Sequence, residues 1–369
     1  MATTPSLRAR LPLLALGMLS LLAGLWGALG RLGFSFPPPG PHAIVFHGPL
    51  MVSGFVGTLV ALERAVGLGR PWAFAAPLAA GAGALSLLLA PGPAGLAATA
   101  LGGGLLALIL LQAWRLQPSF AGMTLVIGAL AWCAGSVLLA GGLPVSRIVP
   151  WWIAFLAATI AGERLELARY LNPGPRRRAA FAAALATLLA GAALSLPEPA
   201  PGMRLLGLGA LGLALWLGAF DMARHALRRP GLTRFTGACL LSGYVWLGVA
   251  GCLALAFGAP SAGPRYDALL HAFFVGFVLA MIFGHAPIIF PAIVARPIPF
   301  RTVFYLHLGL LHLTLALRVA GDLAGVPAAV KYGGLGNVTA VLVFLLVTAG
   351  SLARGVRPKR AEPVARPAR

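Results

Sequence analysis

Long uncharged apolar runs recur along the whole chain and leave few choices of fold. Each run has roughly 20 residues, about the length of helix that crosses a hydrocarbon core of about 30 Å. The runs are separated by Pro- and Gly-rich breaks such as PPPGP at 37–41, GGLP at 141–144 and GAPSAGP at 258–264. A lone strand in lipid leaves its backbone polar groups unpaired, so the runs have to be helices. The sequence therefore predicts an all-α polytopic membrane protein.

The breaks define twelve predicted spans. They cover 11–30, 43–66, 72–90, 94–113, 120–141, 149–169, 178–196, 203–223, 233–257, 266–290, 301–322 and 328–353. Because 59% of the 369 residues are hydrophobic and only 10% are charged, the chain has no room for a sizeable soluble domain. We expect one transmembrane domain over 1–353, with the N-terminal run as its first helix. A disordered basic cytoplasmic tail should follow over 354–369.

The distribution of the basic residues predicts the orientation. The formal net charge is +20, but the arginines lie in the loops between the apolar runs, which argues against nucleic acid as a partner. Arginine-rich loops alternate with loops that carry roughly one basic residue each. By the positive-inside rule, both termini are then cytoplasmic. We expect a multi-pass protein of the cell inner (cytoplasmic) membrane, with the lipid bilayer as its main partner.

An internal repeat relates spans 2, 6 and 10. Span 2 reads FVGTLVALER, span 6 reads FLAATIAGER and span 10 reads FVLAMIFGHA. Aligning the phenylalanines brings Glu63, Glu163 and His285 into register, each eight residues further on. A four-span period that occurs three times suggests three four-helix units around a pseudo-threefold axis.

Two histidines lie near the outer starts of two of these spans. His47 precedes the apolar part of span 2, and His271 precedes that of span 10. Both spans run from outside to inside, so the two imidazoles should lie at the same depth. Ionisable groups within membrane spans are costly and usually functional, and two histidines can ligate a buried haem axially. The alternative is that each is an interfacial histidine in contact with lipid headgroups or water.

A second polar set is predicted nearer the cytoplasmic side. It contains the three aligned residues Glu63, Glu163 and His285, joined by His307 of span 11. Carboxylates and imidazoles held in a low dielectric can form a proton site or a metal site, although their spacing does not identify copper, iron or zinc. Each glutamate is followed directly by an arginine. Ordinary ion pairs at the ends of the helices are therefore the alternative interpretation.

One arginine lies well inside an apolar run. Arg318 of span 11 should lie towards the outer side, where it could contact a haem propionate or pair with Asp322. Other outer cations, including Arg31, are further candidates for a propionate. No CxxC or CxxCH motif occurs in the sequence, so covalent c-type haem is not indicated.

The last third of the chain resembles a known family. The stretch HAFFVGFVLAMIFGHAPIIFPAI and the later LALRVAGDLAG are similar to the NnrS family of twelve-span proteins, which contain haem and copper and are linked to nitric oxide metabolism. More distantly, the arrangement resembles the catalytic subunit of haem-copper oxidases, in which the corresponding histidines of spans 2 and 10 bind the low-spin haem. The resemblance implies haem b on His47 and His271, with copper as a further candidate cofactor.

The chain departs from the oxidase pattern at the positions that bind copper. Span 6 carries Glu163 and Glu166 where an oxidase has a copper-ligating histidine, and span 7 has no histidine. Leu269 stands at the position of the oxidase's second span-10 histidine. The resemblance therefore implies the scaffold and one haem, without the oxygen-reducing centre.

These features support one leading function and two others. The leading hypothesis is a b-type haem protein of nitric oxide metabolism or stress, or of respiratory electron transfer, with a redox protein or a second copy of the chain as partner. Whether it is an enzyme stays open. The alternative is a proton-coupled secondary transporter that uses Glu63, Glu163 and His285. A scaffold or assembly factor without a cofactor is the third.

Overall fold

A computed structural model describes residues 7–37, 42–168 and 174–355. Within these ranges the chain forms no strand, and twelve helices are long and apolar enough to cross a membrane. We number them α1 Leu7–Arg31, α2 His47–Leu68, α3 Pro71–Leu89, α4 Pro93–Leu116, α5 Phe120–Ala140, α6 Val145–Ala168, α7 Pro175–Leu194, α8 Pro199–Phe220, α9 Leu232–Phe257, α10 Pro264–Val294, α11 Phe304–Ala324 and α12 Pro327–Arg354.

The predicted all-α, twelve-span fold is confirmed. Each predicted edge that falls on a described residue lies within four residues of the observed end of a helix. A short helix that was not predicted, Ala223–Leu227, links α8 to α9. Residues 356–369 lie outside the described residues, so the disorder of the predicted tail stays a prediction. The cytoplasmic location of the termini also stays a prediction.

Proline and glycine set many of the helix ends. Proline fixes φ and lacks an N–H, so it suits the first turn of a helix, where that N–H has no partner. Glycine adopts the left-handed conformation that ends a helix without steric strain. Gly69 ends α2 in this way, and Gly325 ends α11. Prolines begin six of the twelve long helices: Pro71, Pro93, Pro175, Pro199, Pro264 and Pro327.

The helices pack as a bundle whose centre is formed by the repeat-bearing helices. Consecutive helices pack against each other, and α1 also contacts α10 and α12, which joins the first and last helices. The most apolar stretches of α6 and α10 are 72% and 61% buried, and α2 and α3 follow at 56%. The predicted repeat helices α2, α6 and α10 are thus among the most enclosed in the bundle.

The outside of the bundle is strongly apolar. Leucines such as Leu89, Leu215, Leu313 and Leu346 are 66–78% exposed on different helices. Exposed apolar surface on this scale has no favourable place in water but suits the hydrocarbon of a bilayer. The chain is therefore a multi-pass membrane protein whose outward faces contact lipid.

The helices that carry the two outer histidines share an irregularity. In α2 the π-helical segment Leu50–Gly57 begins three residues after His47, and in α10 the π-helical segment Ala272–Leu279 begins directly after His271. The wider turn of a π-helix is rare and occurs mostly at functional positions. The apolar periodicity of the sequence did not predict either segment.

Candidate functional site

A large cavity opens where α1 ends and α2 begins. We call this end of the bundle the outer end and the opposite end the inner end, after the orientation that the basic residues predict. Two adjoining spaces of about 670 and 380 Å³ share eight lining residues, which include both His47 and His271. We treat them as one outer cavity. Each of the two spaces falls within the range of about 300–1,000 Å³ that is typical of small-molecule and cofactor sites.

Both outer histidines are held in the same way. The Nδ1–H of His47 donates to the carbonyl oxygen of Gly24 in α1 at 2.7 Å, and the Nδ1–H of His271 donates to that of Asp267 at 2.8 Å. A carbonyl can only accept, so the proton is on Nδ1 and the lone pair is on Nε2. Such a bond fixes the ring and prepares Nε2 as a metal ligand. The structure therefore brings the predicted pair together at one cavity in matching states.

The outer cavity has an apolar interior and a cationic mouth. Its deeper part is lined by Trp152, Phe274 and Val341, which come from three different helices. Arg31 and Lys331 line the wider part, and the Lys331 Nζ also lies 4.6 Å from the centre of the Phe34 ring. An apolar ligand with anionic groups at one edge would match this polarity.

Arg318 pairs with a residue that the sequence analysis did not single out. Its Nε and Nη2 donate to the two carboxylate oxygens of Asp267 at 2.7 and 2.8 Å, which is a bidentate ion pair. Asp322, one of the two predicted partners, lies beside Asp267 instead. Because the guanidinium already holds a carboxylate, Arg31 and Lys331 are better placed than Arg318 to contact a propionate.

Asp267 also lies close to His271. The Oδ1 atom of Asp267 is 3.3 Å from the Nδ1 of His271, one helical turn further along α10. A spacing of four residues between an acid and a histidine on one helix was the available signal. The carbonyl of Gly24 carries no comparable signal, because a backbone contact between distant helices leaves no pattern in the sequence.

A smaller cavity of about 110 Å³ lies towards the inner end and is lined only by α2, α6 and α10. We call it the inner cavity. Four sets of residues that the repeat alignment places in register all line it. They are Val56, Leu156 and Val278; Leu59, Thr159 and Met281; Val60, Ile160 and Ile282; and Glu63, Glu163 and His285. The three predicted inner residues therefore do converge, on three different helices.

The arginine after Glu63 connects the two carboxylates. Arg64 donates a hydrogen bond from Nη2 to Oε1 of Glu163, and the same Nη2 lies 3.9 Å from Oε1 of Glu63. The ion pair thus crosses from α2 to α6. Arg164 is buried near the Tyr244 hydroxyl, which donates to Asp221 at 3.0 Å. Arg64 therefore forms the neighbouring ion pair with Glu63 that the alternative interpretation assumed, and it also pairs with Glu163 of α6.

His285 has one ring nitrogen without a partner. Its Nδ1–H donates to the carbonyl of Met281 at 2.6 Å, while Nε2 is buried and forms no hydrogen bond with the described residues. Pro287 lies inside α10 and disturbs the carbonyls of the preceding turn. One of these, the carbonyl of Gly284, accepts from Thr236 Oγ1 of α9 at 3.1 Å.

His307 lies apart from the inner cavity. Its ring is buried against four phenylalanines, and both of its nitrogens are buried without a hydrogen-bond partner among the described residues. The nearest ring is Phe283, with the centroids 4.8 Å apart. The structure therefore does not bring His307 to the glutamates. His312, one turn further, accepts from Trp246 Nε1 at 3.0 Å.

No group of three or more histidines, cysteines and acidic residues is placed to hold a metal ion within the described parts of the chain. This bears on the predicted set of His285, Glu63, Glu163 and His307, which would have to supply every protein ligand of a bare ion such as copper. It does not bear on His47 and His271. A haem iron takes four ligands from its porphyrin, so two histidines complete its coordination.

The fold and the two cavities define a class of protein: a polytopic α-helical membrane protein with a histidine-lined cavity at one end and an acidic cavity towards the other. The chain belongs to the family described as "Domain of unknown function (DUF8744)", whose model matches residues 10–353. No curated protein matches the chain.

Proposed function

We propose that the protein is an integral membrane b-type haem protein that transfers electrons, with the haem held between His47 and His271. The observation that supports this most is the shared state of the two imidazoles. Each uses Nδ1–H on a backbone carbonyl and keeps the Nε2 lone pair, and both line the same cavity. His285 at the inner cavity makes the same kind of bond, so the specific feature is that two such histidines from different helices line one cavity, which contact with headgroups does not explain.

The remaining residues of the outer cavity also fit a haem. Apolar side chains such as Trp152, Phe274 and Val341 suit the faces of a macrocycle. Arg31 and Lys331 at the mouth suit the two propionates, because guanidinium and ammonium groups donate charge-assisted hydrogen bonds to carboxylates. Arg318 would act indirectly, since it holds Asp267 beside His271.

Ligation by two histidines favours electron transfer. A bound haem would supply one-electron chemistry, and with both axial positions filled it has no open site for oxygen or nitric oxide. The resemblance to the NnrS family supports a place in nitric oxide metabolism or stress, and electron supply fits that role better than gas binding does. The cationic mouth favours an acidic redox protein as partner. We place the chain in the cytoplasmic membrane.

The test is the absorbance of the purified full-length chain. We expect a reduced-minus-oxidised difference spectrum of haem b with one haem per chain. His47→Ala and His271→Ala should each lower the haem content at least about tenfold, since even outer-shell changes cost about 10–100-fold in metal affinity. His285→Ala removes a histidine of α10 at the other cavity and should leave the haem content unchanged.

Folding is separated from ligation by chemical rescue. His271→Gly leaves a space, and added imidazole should restore the haem spectrum if the residue acts as a ligand. The proposal fails if the wild-type chain shows no haem absorbance. It also fails if both alanine variants keep their haem.

A second function has its own observation. Glu63, Glu163 and His285 meet around the inner cavity, as a proton-coupled secondary transporter would require of its relay residues. Against it, transporters usually have two-fold repeats of five or six spans. Proton-coupled uptake by proteoliposomes of a haem-free chain would favour transport. Uptake that is unaffected by Glu63→Gln and His285→Gln would exclude this residue set.

A further inference from the structure

The inner cavity has no role in the haem function, although it contains two partly buried carboxylates and a histidine. Three quarters or more of its lining side chains are apolar, and its polar residues all lie on aligned positions of α2, α6 and α10. Its volume is about 110 Å³. An engineered apolar cavity of about 150 Å³ in another protein binds benzene, so a small head group with several carbons fits here.

The charges at this cavity do not balance. Arg64 hydrogen-bonds to Glu163 but lies 3.9 Å from Glu63, which is too far for a hydrogen bond. One guanidinium therefore serves two carboxylates. A second arginine nearby, Arg164, is buried and lies close to the Tyr244 hydroxyl, which donates to the carboxylate of Asp221. With both carboxylates ionised, the set has one negative charge in excess, and Glu63 has the weaker partner.

Two lining residues of the cavity have a buried polar atom without a partner among the described residues: Thr159, whose Oγ1 can donate or accept, and His285. His285 donates through Nδ1 to the carbonyl of Met281, so its Nε2 presents a lone pair. This Nε2 is buried and unpartnered in the described parts of the chain. A buried acceptor without a donor is costly, and native proteins usually satisfy it with water or a ligand. Together with the Glu63 carboxylate, it calls for a cation that donates hydrogen bonds.

We propose that the inner cavity binds a lipophilic primary amine in its protonated form. The ammonium donates to the Glu63 carboxylate and to Nε2 of His285. The hydrocarbon part lies against the apolar triplet of Val60, Ile160 and Ile282. An anionic ligand would meet the excess negative charge, and a quaternary ammonium would leave the Nε2 acceptor unsatisfied. This site is separate from the proposed haem site and would also define a substrate class for a transporter.

The experiment measures the binding of radiolabelled octylamine to the full-length chain in lipid nanodiscs, with empty nanodiscs as the blank. Octylamine has the positive charge, the N–H donors and the hydrocarbon tail that the proposed ligand needs. Octanol keeps donor and tail without the charge, and octyltrimethylammonium keeps charge and tail without the donors. We expect both analogues to compete at least about tenfold more weakly, since a charge-assisted hydrogen bond contributes at least that much.

Three variants locate the site. Glu63→Gln keeps the shape and removes the excess charge, and it should weaken octylamine binding at least about tenfold. Val60→Phe keeps every charge and fills the cavity, and it should abolish binding. Glu198→Gln removes a carboxylate at the start of α8 and serves as the matched control, with unchanged affinity.

Specific binding with this order of ligands and variants supports the proposal. It is overturned if octylamine does not bind above the blank, if octanol competes equally, or if Glu63→Gln and Val60→Phe both bind like the wild type. The haem spectrum of the same samples reports the outer site separately. Failure of the amine proposal therefore differs from failure of the haem proposal.

Discussion

The outer and inner cavities each set one arginine beside two carboxylates, but they differ in the geometry of the ion pair and in the other cations that line them. At the outer cavity, Arg318 and Asp267 form a bidentate pair, and the Arg318 side chain is only 8% exposed. At the inner cavity, Arg64 divides its interactions between Glu163 and Glu63, and its side chain is 24% exposed. The closed ion pair leaves the outer histidines free for a metal. Arg31 and Lys331 also line the outer cavity, whereas no lysine or arginine is among the described residues that line the inner cavity, which is therefore open to a cation.

The two cavities are neighbours that share no lining residue. The outer cavity reaches inwards to Val52 and Leu279, and the inner cavity reaches outwards to Val56 and Val278. The π-helical segments of α2 and α10 contain all four positions. The positions of the two cavities alternate along α10, so a residue should affect the cavity that it lines and not the other.

Removal of Asp267 should have the largest effect on stability. Asp267→Ala leaves the buried Arg318 guanidinium without its bidentate partner, and breaking a buried pair in this way costs about 3–5 kcal/mol. Because Asp322 lies beside the pair and keeps one carboxylate nearby, we expect about 3 kcal/mol, the lower end of that range. The measurement is the free energy of unfolding from an SDS titration of the purified chain.

The control for this change lies at the same cavity. Arg31→Ala removes an exposed cation and should alter the free energy of unfolding by no more than about 0.5 kcal/mol. If both variants lose the same free energy of unfolding, the bidentate pair does not stabilise the fold more than an exposed cation does. The ion pairs of the two cavities would then not differ in strength.

Removal of Arg64 should cost less than removal of Asp267. Arg64→Ala leaves Glu163 without its hydrogen bond and places two carboxylates at one cavity, with an expected loss of about 1–3 kcal/mol. The expected loss is smaller because the Arg64 side chain is 24% exposed, three times the 8% of Arg318. The same SDS titration measures it, with the exposed Arg70→Ala as the reference.

A double variant distinguishes charge imbalance from simple loss of packing. Glu63→Gln removes the excess charge, so the double variant with Arg64→Ala should recover part of the stability that Arg64→Ala loses. When two residues belong to one interaction network, the changes in the free energy of unfolding caused by their substitutions do not simply add. Strictly additive losses would argue against the shared guanidinium and would weaken the proposed cation site as well.

The parts of this molecule that follow from short-range pattern were predictable from the sequence. Span length and the Pro- and Gly-rich breaks between the runs predicted twelve helices, with edges within four residues of those observed. The repeat alignment also placed Glu63, Glu163 and His285 in one register, and they line one cavity. Matching depth likewise placed His47 with His271. The depth of each of these residues follows from the rise per residue of a helix and from the direction in which its span crosses the membrane.

The parts that depend on contacts between distant helices were not predictable. The pairing of Arg64 with Glu163 joins residues that are 99 apart in the sequence, and the bond from His47 to the Gly24 carbonyl involves only backbone on the partner side. His307 was expected near the glutamates, but its depth alone does not determine which way its ring points. The π-helical segments were missed because their apolar residues also fit an ordinary helix.

Loss of the hydrogen bond from Thr236 to the Gly284 carbonyl should lower the stability less than loss of Asp267 or of Arg64. It tests most directly whether the two cavities are independent. Thr236→Val keeps the shape and removes the donor, so a buried carbonyl near Pro287 loses its partner at a cost of about 1 kcal/mol. The control is Thr339→Val, because the exposed Thr339 hydroxyl bonds within its own helix. It should cost less than about 0.5 kcal/mol.

Since Gly284 precedes His285, Thr236→Val should weaken octylamine binding and leave the haem spectrum unaltered. If the Thr236→Val chain loses haem, a change at the inner cavity reaches the outer cavity through α10. The two cavities would then be coupled and not independent.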